Sequence, residues 1–183
     1  MLQRTRAEQV VTVYRTFIDR YPTVEAAASA NIEDLEEILR PLGLHHRIPR
    51  LLALFKELDE KYSGSVPSEL KELMKLPGVG RYVASAVLCF GFGKSVPIVD
   101  ANVVRLFTRY FGVQPSKKRP HTDPAIWNLA SEVVKMGNAV EINEAILDFA
   151  STICTPRPKC GECPLQDTCV YFNANRLKTP ERL

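Results

Sequence analysis

Four of the five cysteines fall within sixteen residues, as Cys154-x5-Cys160-x2-Cys163-x5-Cys169, while Cys89 stands alone in the apolar run Val87-Leu88-Cys89-Phe90. Thiols clustered this tightly in a chain with no signal-peptide pattern point to metal rather than to a disulfide framework. Structural zinc usually takes two close pairs separated by a longer insert, and this run has one close pair; a tight loop of four thiolates is a good cage for a [4Fe-4S] cubane, with zinc as the other occupant the donors allow. Cys89 reads as a small core residue. A second feature is Pro77-Gly78-Val79-Gly80, which interrupts two helical patterns. Two glycines around one valine admit backbone conformations closed to other residues and clear the way for another molecule to come close. Amides at the start of the next helix then suit a phosphate, although a plain corner between two helices uses the same residues. Asp100 precedes the run Ala101 to Phe111, where its carboxylate can cap the helix by accepting the amide of residue 102 or 103. Such a carboxylate can also stabilise positive charge developing on a bound molecule.

The elements that must position these residues are helices. Val10, Tyr14, Phe17 and Tyr21 form one helical stripe, Leu35, Ile38 and Leu39 a second, and Ile48, Leu51, Phe55, Leu58 and Tyr62 a third. Breaks are expected at Tyr21-Pro22-Thr23, at Asn31 as an N-cap, at Pro41-Leu42-Gly43 and at Ser63-Gly64-Ser65. Further helices are predicted at about 68–75, 81–92, 101–111, 123–136 and 141–153. Convincing period-two alternation is absent, and Pro97 limits residues 95–99 to a short edge strand at most. The fold class is all-α. The 183 residues, 45% hydrophobic and 25% charged, are those of an ordinary globular chain, which excludes collagen-like and disordered classes. The apolar stretch Tyr82 to Gly93 stops at Lys94, well short of the ~20 residues that cross a bilayer. No membrane partner is expected, and the location is expected to be cytoplasmic. A net charge of +3 permits a polyanionic partner without requiring one. The basic run Pro115-Ser116-Lys117-Lys118-Arg119-Pro120-His121 reads as a solvated connector between helices.

Leu76-Pro77-Gly78-Val79-Gly80-Arg81, then Ala84 and Ala86, Phe92-Gly93, and Pro97-Ile98-Val99-Asp100-Ala101-Asn102-Val103-Val104-Arg105 together resemble the helix-hairpin-helix, Gly/Pro-rich, aspartate superfamily of DNA glycosylases. The resemblance extends through the cysteine loop and points to the archaeal thymine mismatch glycosylase branch, with similarity also to adenine mismatch glycosylases and endonuclease III. It implies two helical lobes: a barrel over 23–111 carrying the hairpin, and 1–22 plus 112–183 carrying a [4Fe-4S] loop at 154–169. It assigns Asp100 the catalytic role of stabilising an oxocarbenium-like sugar and orienting a water. Members that also cut the strand use a lysine amine just after the hairpin; the matching residue here is Tyr82, and a phenol forms no imine. Tyr82 thus resembles the pocket tyrosine of the thymine mismatch glycosylases, against a plainer reading as packing between helices. The metal ligands implied are Cys154, Cys160, Cys163 and Cys169, with one residue fewer than usual between the first two.

The resemblance further places DNA at Gly78, Val79 and Gly80 and at the basic Arg157 and Lys159, which read equally well as a solvent-facing loop. Leu2, Gln3 and Arg4 match a region that enters the duplex when a base is flipped; as plain residues they fit a helix surface. In related glycosylases that region follows a pocket glutamate that the sequence given does not contain, so thymine or uracil is expected over adenine. The expected partner is double-stranded DNA with a mismatched or deaminated base, and the expected state a monomer. Two competitors stay open: an adenine glycosylase acting opposite guanine or oxidised guanine, and a non-catalytic helix-hairpin-helix DNA-binding protein.

Overall fold

Every regular element among the described residues of the computed structural model is helical, as expected. The structure describes residues 7–43 and 45–176, with Ala7 and Glu8 by backbone alone; Leu2, Gln3 and Arg4 lie outside the described residues. The α-helices are α1 Ala7–Arg20, α2 Val24–Ala28, α3 Ile32–Leu39, α4 Ile48–Tyr62, α5 Leu70–Leu73, α6 Arg81–Ala86, α7 Ala101–Phe111, α8 Pro124–Val134, α9 Ala139–Thr152 and α10 Val170–Arg176. A π turn, Val87–Gly91, continues from α6. The residues that the strand reading allowed, 95–99, carry no strand: the Ile98 amide donates to the side chain of Asn143 (2.9 Å) instead of a ladder partner.

The chain divides into two compact units, Met1–Ala84 and Ser85–Leu183. In the first, Val10, Val13, Phe17 and Tyr21 are buried with Ala27, Leu35, Leu39, Leu42 and Ile48. The stripe on α1 therefore runs through Val13, and Tyr14, expected inside, is 55% exposed. Both sit at helical spacing from Phe17, at i−4 and i−3, so periodicity alone does not choose between them. Thr23 caps α2 and Asn31 caps α3, each accepting an amide three residues on (3.2 and 2.7 Å). The Tyr62 hydroxyl donates to Glu72 (3.1 Å) and ties the end of α4 to α5.

In the second unit α7 is the centre. Val103, Val104, Leu106 and Phe107 are buried against Ile126, Trp127 and Ala130 of α8, Ala150 of α9, and Cys154. Gly112, at φ +73°, ends α7; a Cβ there would stand 3.1 Å from Val170 Cγ1, so the glycine lets the start of α10 come close. Buried Asn143 uses its whole amide: Nδ2 donates to Ala139 O (2.8 Å) and Val96 O (3.0 Å), and Oδ1 accepts from Ile98. It fixes the extended segment that leads to Asp100.

This division differs from the expected lobes, 23–111 against 1–22 plus 112–183. The apolar face of α1 fits the core built by α2, α3 and the start of α4, so α1 is buried with them. Helix α7, which falls within the expected lobe 23–111, shares its core with α8 and α9.

Candidate functional site

The hairpin belongs to the first unit. After α5, the Leu76 amide donates to Leu73 O and the Val79 amide to Leu76 O (both 3.1 Å), and α6 opens with Ala84 donating to Gly80 O (2.9 Å). Of the two glycines only Gly78 adopts the left-handed region (φ +77°). Gly80 serves differently: a Cβ there would meet nothing within 4 Å, so this face is open to close approach by a large molecule. Tyr82 lies on the first turn of α6 and is 36% exposed. Lys75, one of the amines near the hairpin, pairs with Glu72 (2.7 Å), whose carboxylate holds the ammonium above the usual lysine range.

Asp100 belongs to the second unit and is half-buried. It is the N-cap of α7: Oδ1 accepts the amides of Asn102 and Val103 (both 2.8 Å), and Oδ2 accepts Asn102 Nδ2 (2.9 Å). Asn102 is held in turn by Arg105, whose Nη1 donates to Asn102 Oδ1 (2.9 Å). The remaining guanidinium donors of Arg105 reach Cys154 O (2.8 Å) and Ala150 O (2.6 Å). One chain of hydrogen bonds thus runs from the backbone of the first clustered cysteine to the Asp100 carboxylate. Charge-assisted bonds of this kind are short, directional and strong.

All four clustered cysteines line one small cavity with Arg109, Lys159, Tyr110 and Tyr171. Burial, reinforced by the neighbouring Cys169, Cys163 and Cys154 thiols, pushes the Cys160 thiol up. Arg109 crosses the start of the loop: Nη1 donates to Thr155 O (2.6 Å) and approaches Cys154 Sγ (3.6 Å), Nη2 donates to Pro156 O (3.0 Å), and the guanidinium lies over the Tyr171 ring (5.2 Å). Among the described residues no three His, Cys, Asp or Glu side chains gather closely enough to hold one metal ion. Arg157 and Lys159 are both exposed on the loop. The basic run 115–121 is anchored by buried Asp123, which accepts the amides of Ser116 and Lys117 and caps α8 through Ala125 (2.9 Å); these bonds, that to Ala125 first, hold its carboxyl below the usual range.

The family model for HhH-GPD superfamily base excision DNA repair proteins matches residues 1–132. The chain belongs to this superfamily. A thymine-DNA glycosylase of Aeropyrum pernix is 45% identical over 177 residues, covering 94% of this chain and 79% of that protein. A thymine/uracil-DNA glycosylase of Pyrobaculum aerophilum is 41% identical, over 94% of this chain and 77% of that protein. Among solved structures, a thermostable thymine-DNA glycosylase superposes with a TM-score of 0.88 at 34% identity, covering 94% of this chain and 80% of the other. As an HhH-GPD protein the chain is a DNA N-glycosylase, and its expected all-α fold and family stand. Among the described residues no helix is long and apolar enough to cross a membrane.

Sequence reasoning picks out Asp100 and the cysteines, and the structure joins them through two residues it does not single out, Asn102 and Arg105. The signal is spacing: Asn102, Arg105 and Arg109 recur at three and four residues, a polar stripe beside the buried Val103, Val104, Leu106 and Phe107.

Proposed function

We propose that this HhH-GPD protein is a monofunctional glycosylase that flips thymine or uracil mispaired with guanine out of duplex DNA and hydrolyses its glycosidic bond, leaving an abasic site. The observation that carries the reading is the Asp100 carboxylate, held by three hydrogen bonds at the start of α7. A carboxylate fixed before the reaction stabilises the positive sugar without reorganising as the charge appears. The bond from the sugar C1′ to the base breaks with its electron pair leaving on the base, and water adds to C1′ as its proton passes to the Asp100 carboxylate and on to solvent, while the departed base anion takes a proton from solvent. Flipping costs a few kcal/mol and least at a mispair, which supports selection of mispaired over paired bases. Tyr82, at the position where strand-cutting relatives use an amine, supports hydrolysis without a Schiff base. The similarity to thymine- and thymine/uracil-DNA glycosylases supports the choice of base.

The hairpin residues Gly78, Val79 and Gly80 would hold a DNA phosphate through backbone amides, with Arg157 and Lys159 at a second stretch of backbone. Cys154, Cys160, Cys163 and Cys169 would hold a [4Fe-4S] cluster. Four thiols around one cavity, with a guanidinium at 3.6 Å from one of them, fit a group that needs four thiolates and carries negative charge. A zinc ion at Zn–S distances of ~2.3 Å would draw the sulfurs to within ~3.8 Å of one another. The run has one close pair, Cys160 and Cys163, with five residues on either side, where structural zinc usually takes two close pairs, and that spacing supports the larger cluster. When bound, the cluster cross-links the loop; Arg105 and Arg109 then carry the loop's position into α7.

The test is a single-turnover assay on a duplex with one G·T pair. Wild type should form abasic sites that break only after alkali, and Asp100→Asn should slow excision by several orders of magnitude while leaving mismatch affinity and folding nearly unchanged. Excision by Asp100→Asn at the wild-type rate would leave Asp100 a helix cap alone.

A further inference from the structure

In the first unit a cavity of about 480 Å³ opens between the hairpin and the start of α4. Its walls are apolar, from Phe17, Leu51 and Phe55 among others, and its remaining lining is Pro77, Gly78 and Val79 together with His46, Arg47 and Arg50. Among the described residues no carboxylate lines it. The Cβ of Arg50 stands 3.8 Å from where a Cβ at Gly78 would be, so the stem of this arginine leaves α4 directly beside the hairpin turn. Arg50 is exposed and, among the described residues, has no ion-pair or hydrogen-bond partner, whereas Arg47 is half-buried and donates Nε to His46 Nε2 (3.2 Å). Lys75, just before the hairpin, is paired with Glu72, and Lys61, near the far end of α4, with Glu57, both at 2.7 Å.

The geometry points to Arg50 as a second backbone contact: it binds the DNA phosphate next to the one taken by the hairpin amides, so that α4 and the hairpin form one anion-binding edge. This rests on the reading of the chain as a DNA glycosylase. An uncompensated guanidinium is chemically suited to the edge because it offers several donors to one phosphate and stays charged at any working pH. It reads no base, so its effect is uniform across sequences and strongly dependent on salt.

The test is fluorescence anisotropy of the full chain on a short duplex carrying a G·T pair, with affinity measured at a series of salt concentrations. Each phosphate neutralised contributes ~0.9 to the slope of log K against log salt on B-DNA. Arg50→Ala should lower that slope by about one and weaken binding several-fold at low salt. Lys56→Ala, which removes an exposed cation six residues along α4, should leave the slope unchanged. Arg50→Gln should repeat the result if Arg50→Ala loses helix content. An Arg50→Gln slope equal to wild type in a chain that binds and excises would overturn this contact and leave the glycosylase reading standing. A wild-type chain that neither binds nor excises would overturn both.

Discussion

At the scale of single residues, the proposed chemistry depends on a side chain that offers no amine. In the proposed reading Tyr82 stands where a lysine would attack the sugar, and Lys75, a few residues before it, pairs with Glu72, whose carboxylate raises the lysine above its usual range. A protonated amine is no nucleophile. Borohydride should therefore trap no covalent complex between this chain and a G·T duplex; efficient trapping that disappears in Lys75→Ala or Lys94→Ala would place the amine wrongly. Much of this scale is legible in the sequence, because Asp100 sits one residue before an amphipathic run and capping needs nothing further. The choice of Val13 over Tyr14 for the core of α1 is not legible, because both fit the helical period and only the packed partners decide. Gly80 is half legible: the glycine marks the hairpin, but its use is open space at the surface and not an unusual φ.

At the scale of elements, α7 carries the carboxylate at its first turn and two arginines that grip the cysteine loop. These arginines meet carbonyls 45 to 49 residues away in sequence, and no local pattern names such partners. The π turn at Val87–Gly91 is equally silent in sequence, since its apolar residues fit an ordinary helix; the structure places its Cys89 against Asn143 (3.3 Å). The chain of bonds through Arg105 makes a specific demand. Arg105→Gln would leave the Cys154 and Ala150 carbonyls without their donor, at ~1–3 kcal/mol for a buried group, and release Asn102 from one side. Single-turnover excision should fall by ~10²-fold, the scale on which a misplaced catalytic group costs rate, with substrate affinity kept. A variant that loses stability and keeps the wild-type rate would show that Arg105 supports the loop without steadying Asp100.

At the scale of the whole molecule, the cysteine loop and α7 form parts of one unit, and the hairpin belongs to the other. The expected lobe boundaries at 23 and 111 come from the resemblance; the buried side chains of α1 pack with α2, α3 and the start of α4, and those of α7 with α8 and α9, partners that no local pattern in the sequence names. Protein prepared without oxygen should be yellow-brown and hold about four iron and four sulfide per chain. Stoichiometric zinc with no iron would contradict the cluster. The central claim, the base removed, is tested most directly by single-turnover rates on duplexes that differ in one pair. Uracil lacks the 5-methyl group that thymine must fit into the pocket, so the account predicts U opposite G fastest, then T opposite G, then A opposite G or oxidised G, with T paired to A untouched. A panel in which adenine leaves fastest would contradict it.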